Sequence, residues 1–236
     1  MSFIERDKEI LRTIRSMVEA GLDFVVVGGY SVSALVRHRF SVDCDMIISK
    51  ERLPEVEEVL KREGYKRHVE KRGLDEAYGG EFVNYRKEVA GFPVTIDLLV
   101  NSLVCRSTGA AWGFDYVEKH SVSANILGME ASVSCKVPEK ELLIAFKIHS
   151  GRRADVRDIV MLMEDASSEK VLDHLNRGDI LVLKNQVKTI ISALDDENLV
   201  DSLKGVFTMT IDVERRIQNT RRFIEKIQRR LKPSQG

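Results

Sequence analysis

Apolar residues return at helical intervals near the start of the chain: Ile10, Leu11, Ile14, Met17 and Val18, with Gly21 following as a stop. That spacing predicts an amphipathic first helix. "FVVV" then predicts a short buried strand, "YSVSALVRH" after Gly28-Gly29 a helix, and "CDMIIS" a second strand. In "ERLPEVEEVLKREGY", Leu53, Val56, Val59 and Leu60 share one face before Gly64, as expected of a surface helix. The pattern then becomes β-rich. "GGEFVNYRKE" and "GFPVTIDLLV", followed by "FDYVEKHSVSANIL" and "ASVSCKV", predict a strand meander. Beyond Pro138 the turn and β-branched clusters thin out, and helical patterns dominate "KELLIAFKIHS", "ADVRDIVMLMED", "SSEKVLDHL", "DILVLKNQVKTIISAL" and "TIDVERRIQNTRRFIEKIQRRL".

The expected architecture is therefore an α/β domain over residues 1–137, with a mixed β-sheet and flanking helices, followed by an α-helical domain over 138–236. The 236 residues, 43% of them hydrophobic, suffice for a substantial core. Basic and acidic side chains balance at 37 each, so the chain as a whole has no bulk attraction to nucleic acid or anionic membrane, and any basic surface is local. Cys44, Cys105 and Cys135 are far apart and lack C-x-x-C spacing, which argues against a disulfide framework or a structural zinc site and fits a reducing compartment. "MSFIERDKEILRTIR" alternates charge with apolar residues, unlike a secretory signal, and no apolar run approaches the ~20 residues that span a bilayer. A soluble, cytoplasmic protein without a membrane partner is expected.

Against this apolar background the acids stand out. Asp43 and Asp45 are two apart on a strand and project to one face, while Val42, Cys44 and Met46 point to the other. Two carboxylates so close repel unless a cation or strong donors neutralise them. A hard ion such as Mg²⁺, or Mn²⁺ in its place, prefers oxygen ligands and keeps open positions for phosphate. Asp97 is isolated in the apolar strand "FPVTIDLLV", where an unpaired carboxylate is costly. If the two strands are neighbours, the three acids form the ligand set of two-metal phosphoryl chemistry. Gly28-Gly29, between a strand and a helix, permits close approach of backbone N–H groups to an anion, and Ser31 can add a hydroxyl.

Other readings stand beside these. The D-x-D pair could be two solvated acids on an edge strand, and Asp97 a core carboxylate satisfied by backbone donors. Metal-dependent glycosyltransferases also use D-x-D, though on a larger nucleotide-binding domain. A dinucleotide fingerprint in "VVVGGYSVSA" fails for want of its third glycine and the acid at the next strand end. His38, His68, His120, His149 and His174 share no spacing and read as structural or surface residues, and Trp112 as packing.

Taken together, G-G-Y-S, then S-V-D-C-D, then T-I-D resemble the nucleotidyltransferase superfamily that includes polymerase β, especially its minimal and AbiEii-like toxin branches. "LLIAFKIHSGRRADVRDIVMLM" is similar to a helical segment of AbiEii-like proteins. The resemblance implies a nucleotidyltransferase-type fold and metal-dependent transfer of a nucleoside monophosphate from a nucleoside triphosphate, such as ATP, to a hydroxyl acceptor. RNA or tRNA, protein and small molecules are all acceptors within that family. It implies Asp43, Asp45 and Asp97 as catalytic and metal-binding residues, with Asp97 also a candidate base, and Gly28, Gly29 and Ser31 at the nucleotide. Lys147 would touch its phosphates, while Arg153, Asp155 and Asp158 would border the cleft. A toxin role would imply an antitoxin partner. The rival reading is a catalytically silent module that keeps the fold and holds a nucleotide or a partner. Cys44 departs from the family pattern, where a larger apolar residue is more usual. Lys147 could also be an ordinary helix-face lysine, and "GRRADVRD" a solvated helix start.

The terminal helix is amphipathic. Val213, Ile217, Phe223, Ile224, Ile227 and Leu231 recur at helical intervals, and Arg215, Arg216, Arg221, Arg222, Lys226, Arg229, Arg230 and Lys232 line the rest. Such a face is either a solvated surface or a track for RNA phosphates.

Overall fold

The computed structural model describes residues 2–208 and 212–231. The chain forms two compact units: Met1–Val104 with Trp112–Glu139, and Cys105–Ala111 with Lys140–Gly236. The segment Cys105–Ala111 belongs with the second unit.

The first unit runs α1 (Ser2–Glu19), β1 (Val25–Val27), α2 (Gly28–Leu35), β2 (Asp43–Ile48), α3 (Leu53–Arg62), β3 (Lys66–Lys71), β4 (Glu81–Val89) and β5 (Phe92–Val100). Then follow β6 (Ser102–Cys105) and β7 (Ala110–Gly113), whose residues 105, 110 and 111 count with the second unit, and α4 (Phe114–Lys119), β8 (Ser121–Leu127) and β9 (Ser132–Pro138) in the first. The main sheet has five strands in the order β1-β2-β5-β4-β3, and it is mixed: β2 and β5 are parallel, while β1–β2, β5–β4 and β4–β3 are antiparallel. β5 shows why one face is core. Val94, Ile96, Leu98 and Val100 are buried, while Thr95, Asp97 and Leu99 on the other face are half-buried. Ile10, Leu11, Ile14 and Met17 of α1 join Met46, Ile48, Ile96 and Leu98 in that core. The β8–β9 hairpin adds Ile126, Val133, Cys135 and Val137.

Some elements differ from expectation. Phe114–Lys119 is a helix, not the start of a strand, because Phe114 and Val117 bury one side at a spacing of three after the extended Gly113. β3 forms although "KRHVEK" is almost wholly polar; it is an edge strand held by its ladder to β4 and is solvated on both faces, so burial leaves no alternation in its sequence.

The second unit is helical: α5 (Lys140–Ser150), α6 (Arg153–Leu162), α7 (Ser168–Leu175), α8 (Ile180–Ala193), α9 (Leu199–Phe207) and α10 (Val213–Arg230). α5 is central, buried continuously from Leu142 to His149, and it packs against α6, α7 and α8. α9 had no sequence forecast, yet Leu199, Leu203 and Phe207 give it a buried stripe at four-residue spacing. α10 inserts Val213, Thr220, Ile224 and Ile227. Thr210, Ile211 and Lys232, expected in this last helix, lie outside the described residues. Cys44, Cys105 and Cys135 are all free and buried. Among the described residues no helix is long and apolar enough to cross a membrane.

Candidate functional site

In the parallel β2–β5 ladder Asp45 stands opposite Asp97, and Asp43 opposite Thr95. Laterally paired residues project to the same face, at the ~4.8 Å spacing of neighbouring strands. The structure thus brings Asp43, Asp45 and Asp97 together on the sheet face away from Cys44 and Ile96, which are fully buried in the core. Asp43 is exposed, and Asp45 and Asp97 are half-buried. Burial raises the Asp97 carboxyl above its ordinary range; a hydrogen bond from Asn84 works against this, and the negative charge of Asp43 adds to it. Beneath them, burial and the neighbouring carboxylates, Asp45 foremost, push the Cys44 thiol well up, so it remains a protonated packing group.

The glycine turn meets the acids. Val27, the last residue of β1, pairs with Asp45, so the chain enters Gly28 beside that carboxylate. Gly28 has φ +68°, and a β-carbon there would lie 2.2 Å from Asp45 Oδ2. Both facts require glycine. Gly29 is the second residue of α2, and a β-carbon on it would come 2.6 Å from Ser41 Oγ and 3.0 Å from Arg39 Nη2. Ser41 Oγ in turn donates to Asp43 Oδ1 at 3.4 Å. Backbone N–H groups of a helix start, a guanidinium, a hydroxyl and three carboxylates therefore gather in one small region. Ser31, expected as the hydroxyl of this cradle, faces inward instead: it is fully buried and donates to the Gly28 carbonyl at 2.8 Å.

Three of these residues escaped sequence reasoning. Asn84 sits opposite Asp97 in the antiparallel β4–β5 ladder and donates to its Oδ1. Its signal was positional, because Phe82, Asn84 and Arg86 alternate out of the core beside the strand that carries Asp97. Arg39 and Ser41 lie four and two residues before Asp43, between the expected helix "YSVSALVRH" and the expected strand "CDMIIS", and neither was given a role there.

The second-unit candidates have other partners. Lys147 is buried, and its Nζ lies 2.8 Å from both Asp155 Oδ1 and Asp158 Oδ2, themselves buried. The Lys147 ammonium is thus held between two buried carboxylates, and Asp158 is turned towards it. Asp155 also accepts from Arg152 Nε at 2.9 Å and from the Arg152 backbone N–H at 3.2 Å. Burial opposes its ionisation, but the charge of Lys147 and these hydrogen bonds outweigh it and hold the carboxyl at about 2. Arg153 is exposed and pairs with Asp196 at 2.7 Å. His149 is structural, as expected: it is fully buried between Thr108 Oγ1 at 2.8 Å and the Leu175 carbonyl at 3.1 Å.

No family model matches the chain, and no curated protein matches it. Solved structures do. The chain is similar to JHP933 from Helicobacter pylori, with 17% identity and a TM-score of 0.49 over 98% of this chain and 95% of that one. It is similar to ANT(2″)-Ia, solved in complex with adenylyl-2″-tobramycin, with 16% identity and a TM-score of 0.39 over 86% of this chain and 96% of that one. A third likeness is to the lincosamide antibiotic adenylyltransferase LnuA, lincomycin-bound, with 18% identity and a TM-score of 0.45 over 67% of this chain and 97% of that one.

Proposed function

We propose that the first unit is a metal-dependent nucleotidyltransferase that moves a nucleoside monophosphate from a nucleoside triphosphate to a hydroxyl acceptor. The observation that carries this reading is the side-by-side register of Asp45 and Asp97, with Asp43 one pleat away, at the mouth of a glycine turn. The donor set fits a hard divalent cation: it is all carboxylate oxygen, mutually repelling, and half open to solvent. Asp43, Asp45 and Asp97 would hold Mg²⁺ or Mn²⁺, which when bound neutralises the triphosphate and stabilises charge developing on the transferred phosphoryl group.

The chain's own groups supply the rest. N–H groups at Gly28 and Gly29, aided by the N-terminal dipole of α2, bind phosphate oxygens, and the Arg39 guanidinium adds a positive charge beside them. Asp97, with a carboxyl raised by burial and by Asp43, is suited to receive the acceptor's hydroxyl proton. The acceptor oxygen forms a bond to the α-phosphorus, the bond from that phosphorus to the bridging oxygen breaks, and pyrophosphate leaves with the electron pair.

The test is incubation with each α-labelled nucleoside triphosphate and Mg²⁺ against total RNA, cell protein and hydroxylated small molecules. Label is expected in one acceptor class and is expected to disappear in Asp43→Asn and Asp45→Asn. An absence of label in every class, with no Mg²⁺-dependent rise in melting temperature that Asp45→Asn removes, would overturn the proposal.

A further inference from the structure

The basic side chains of α10 fall into two groups. Those on the flanks are neutralised within the second unit. Arg216 pairs with Glu164 at 2.5 Å, Arg221 with Asp195, and Lys226 and Arg230 with Glu169 at 3.2 and 2.6 Å. Arg215, Arg222 and Arg229 are exposed and have no carboxylate within ion-pair reach among the described residues. They are seven residues apart, so they return to nearly the same angle, drifting about 20° per step and rising about 10.5 Å. That line lies opposite the buried stripe of Val213, Thr220, Ile224 and Ile227. It is the crest of the helix.

Beside the crest is a groove of about 480 Å³ between α6 and α10. Val160, Met163 and Phe223 are its apolar lining, and Asn219 and Arg222 line it as well. The remaining lining residues are Arg216 and Glu164, paired with each other, and the acid Asp165, so Arg216 and Arg222 offset Glu164 and Asp165. The positive excess therefore lies on the crest, while the groove is nearly balanced.

We propose that this crest and groove bind single-stranded nucleic acid, with phosphates on Arg215, Arg222 and Arg229 and a base against Phe223. The crest charges are spaced near the Debye length at physiological salt, about 8 Å, so their repulsion is weak enough to tolerate in the free protein. A polyanion gains from all three at once. Guanidinium forks match phosphate oxygens in pairs, and an aromatic ring beside them accepts the face of any base. A purely acidic chain such as polyglutamate would use the crest but has no ring to stack against Phe223. The surface narrows the sequence expectation from eight cations to three and does not depend on the transfer reaction, because binding needs neither nucleotide nor metal.

Fluorescence anisotropy with a labelled, mixed-sequence single-stranded RNA, at several salt concentrations without metal, tests it. The triple variant Arg215→Gln, Arg222→Gln, Arg229→Gln is expected to fold normally and to reduce the slope of log affinity against log salt by about 2, from three contacts at ~0.7 each. Phe223→Ala is expected to weaken binding by at least about fivefold with the slope unchanged. A control triple of exposed cations elsewhere, Lys61→Gln, Arg62→Gln and Lys204→Gln, is expected to keep the wild-type slope. The proposal is overturned if wild type does not bind at low salt, if the control reduces the slope as much, or if polyglutamate displaces the RNA as well as unlabelled RNA does.

Discussion

Asn84 donates its side-chain N–H to Asp97 Oδ1 directly across the β4–β5 ladder. The contact holds one oxygen of the carboxylate, and Asp97 stands opposite Asp45 in the neighbouring ladder. Asp97 titrates under three influences: burial raises it most, Asn84 favours its charged form, and Asp43 disfavours it. Two substitutions should therefore move it in opposite directions. With the Asp97 carboxyl carbon followed by NMR without metal, Asn84→Ala is expected to shift its titration to higher pH and Asp43→Asn to lower pH. If transfer uses Asp97 as base, the acid limb of the rate profile should move with each. Equal shifts of one sign in both variants would mean that neither neighbour acts on Asp97 as the geometry requires.

Gly28 offers a separation of backbone strain from site chemistry. A side chain there meets both a left-handed φ of +68° and the Asp45 carboxylate, whereas Gly91, at φ +80°, has nothing within 4 Å of its would-be β-carbon. Gly28→Ala and Gly91→Ala are each expected to lose about 1–2 kcal/mol of stability from the left-handed conformation alone. If Asp45 holds the ion as proposed, only Gly28→Ala should also weaken Mg²⁺ binding, measured by calorimetry, because only there must the Asp45 carboxylate move. Equal Mg²⁺ affinity in the two variants would show that the close approach at Gly28 does not shape the site.

The acids were legible in the sequence because a period of two assigns faces from local spacing alone, so Asp43 and Asp45 had to share one. Their meeting with Asp97 was conditional, since β2 and β5 pair in parallel across a long connection and the chain does not encode such a partner locally. Asn84 and Ser41 were missed for the same reason, as each matters only through what lies beside it. The carboxylate pairing of Lys147 was not foreseen despite an available signal. "LLIAFKI" is apolar on both sides of the lysine, and a cation in a helix buried all round must bring its own counter-charges. The acids eight and eleven residues later were visible. That they turn back onto Lys147 depends on the packing of α6 against α5, which the spacing of one helix cannot give.

That packing sets the energetic order of two basic residues that looked alike in the sequence. Lys147→Met leaves Asp155 and Asp158 buried without their shared cation and is expected to cost about 3–5 kcal/mol, if the protein folds at all. Arg153→Ala removes an exposed pair with Asp196 and is expected to cost less than about 1 kcal/mol. Chemical denaturation of both variants measures the difference. Where Lys147→Met fails to express, Lys147→Arg serves instead, because a larger fork in a site fitted to an ammonium should still destabilise far more than Arg153→Ala. A Lys147→Met cost no greater than that of Arg153→Ala would mean the buried triad is not the anchor of α5 and α6.

His149 gives the second unit an acid sensitivity with a defined window. Burial pushes its imidazole down to about 4; the Leu175 carbonyl partly opposes this, and Arg177 adds to it. Thr108 at Nδ1 and the Leu175 carbonyl at Nε2 suit the neutral ring that carries its proton on Nε2. The unfolded chain takes up that proton near the ordinary value of about 6.5. Above this pH both states are neutral and His149 contributes no pH dependence. As pH falls from about 6.5 to about 4 the unfolded state alone binds the proton, so stability declines by about 3 kcal/mol in total. Asp155 acts in a lower window: its contribution is full above the ordinary carboxylate range and is lost as pH falls towards about 2. Denaturation midpoints measured across this range are expected to fall in two stages, and His149→Gln should flatten the upper stage while leaving the lower one. A wild-type curve that is level between pH values of about 6.5 and 4 would show that the ring accepts a proton in the folded protein as readily as in the unfolded chain.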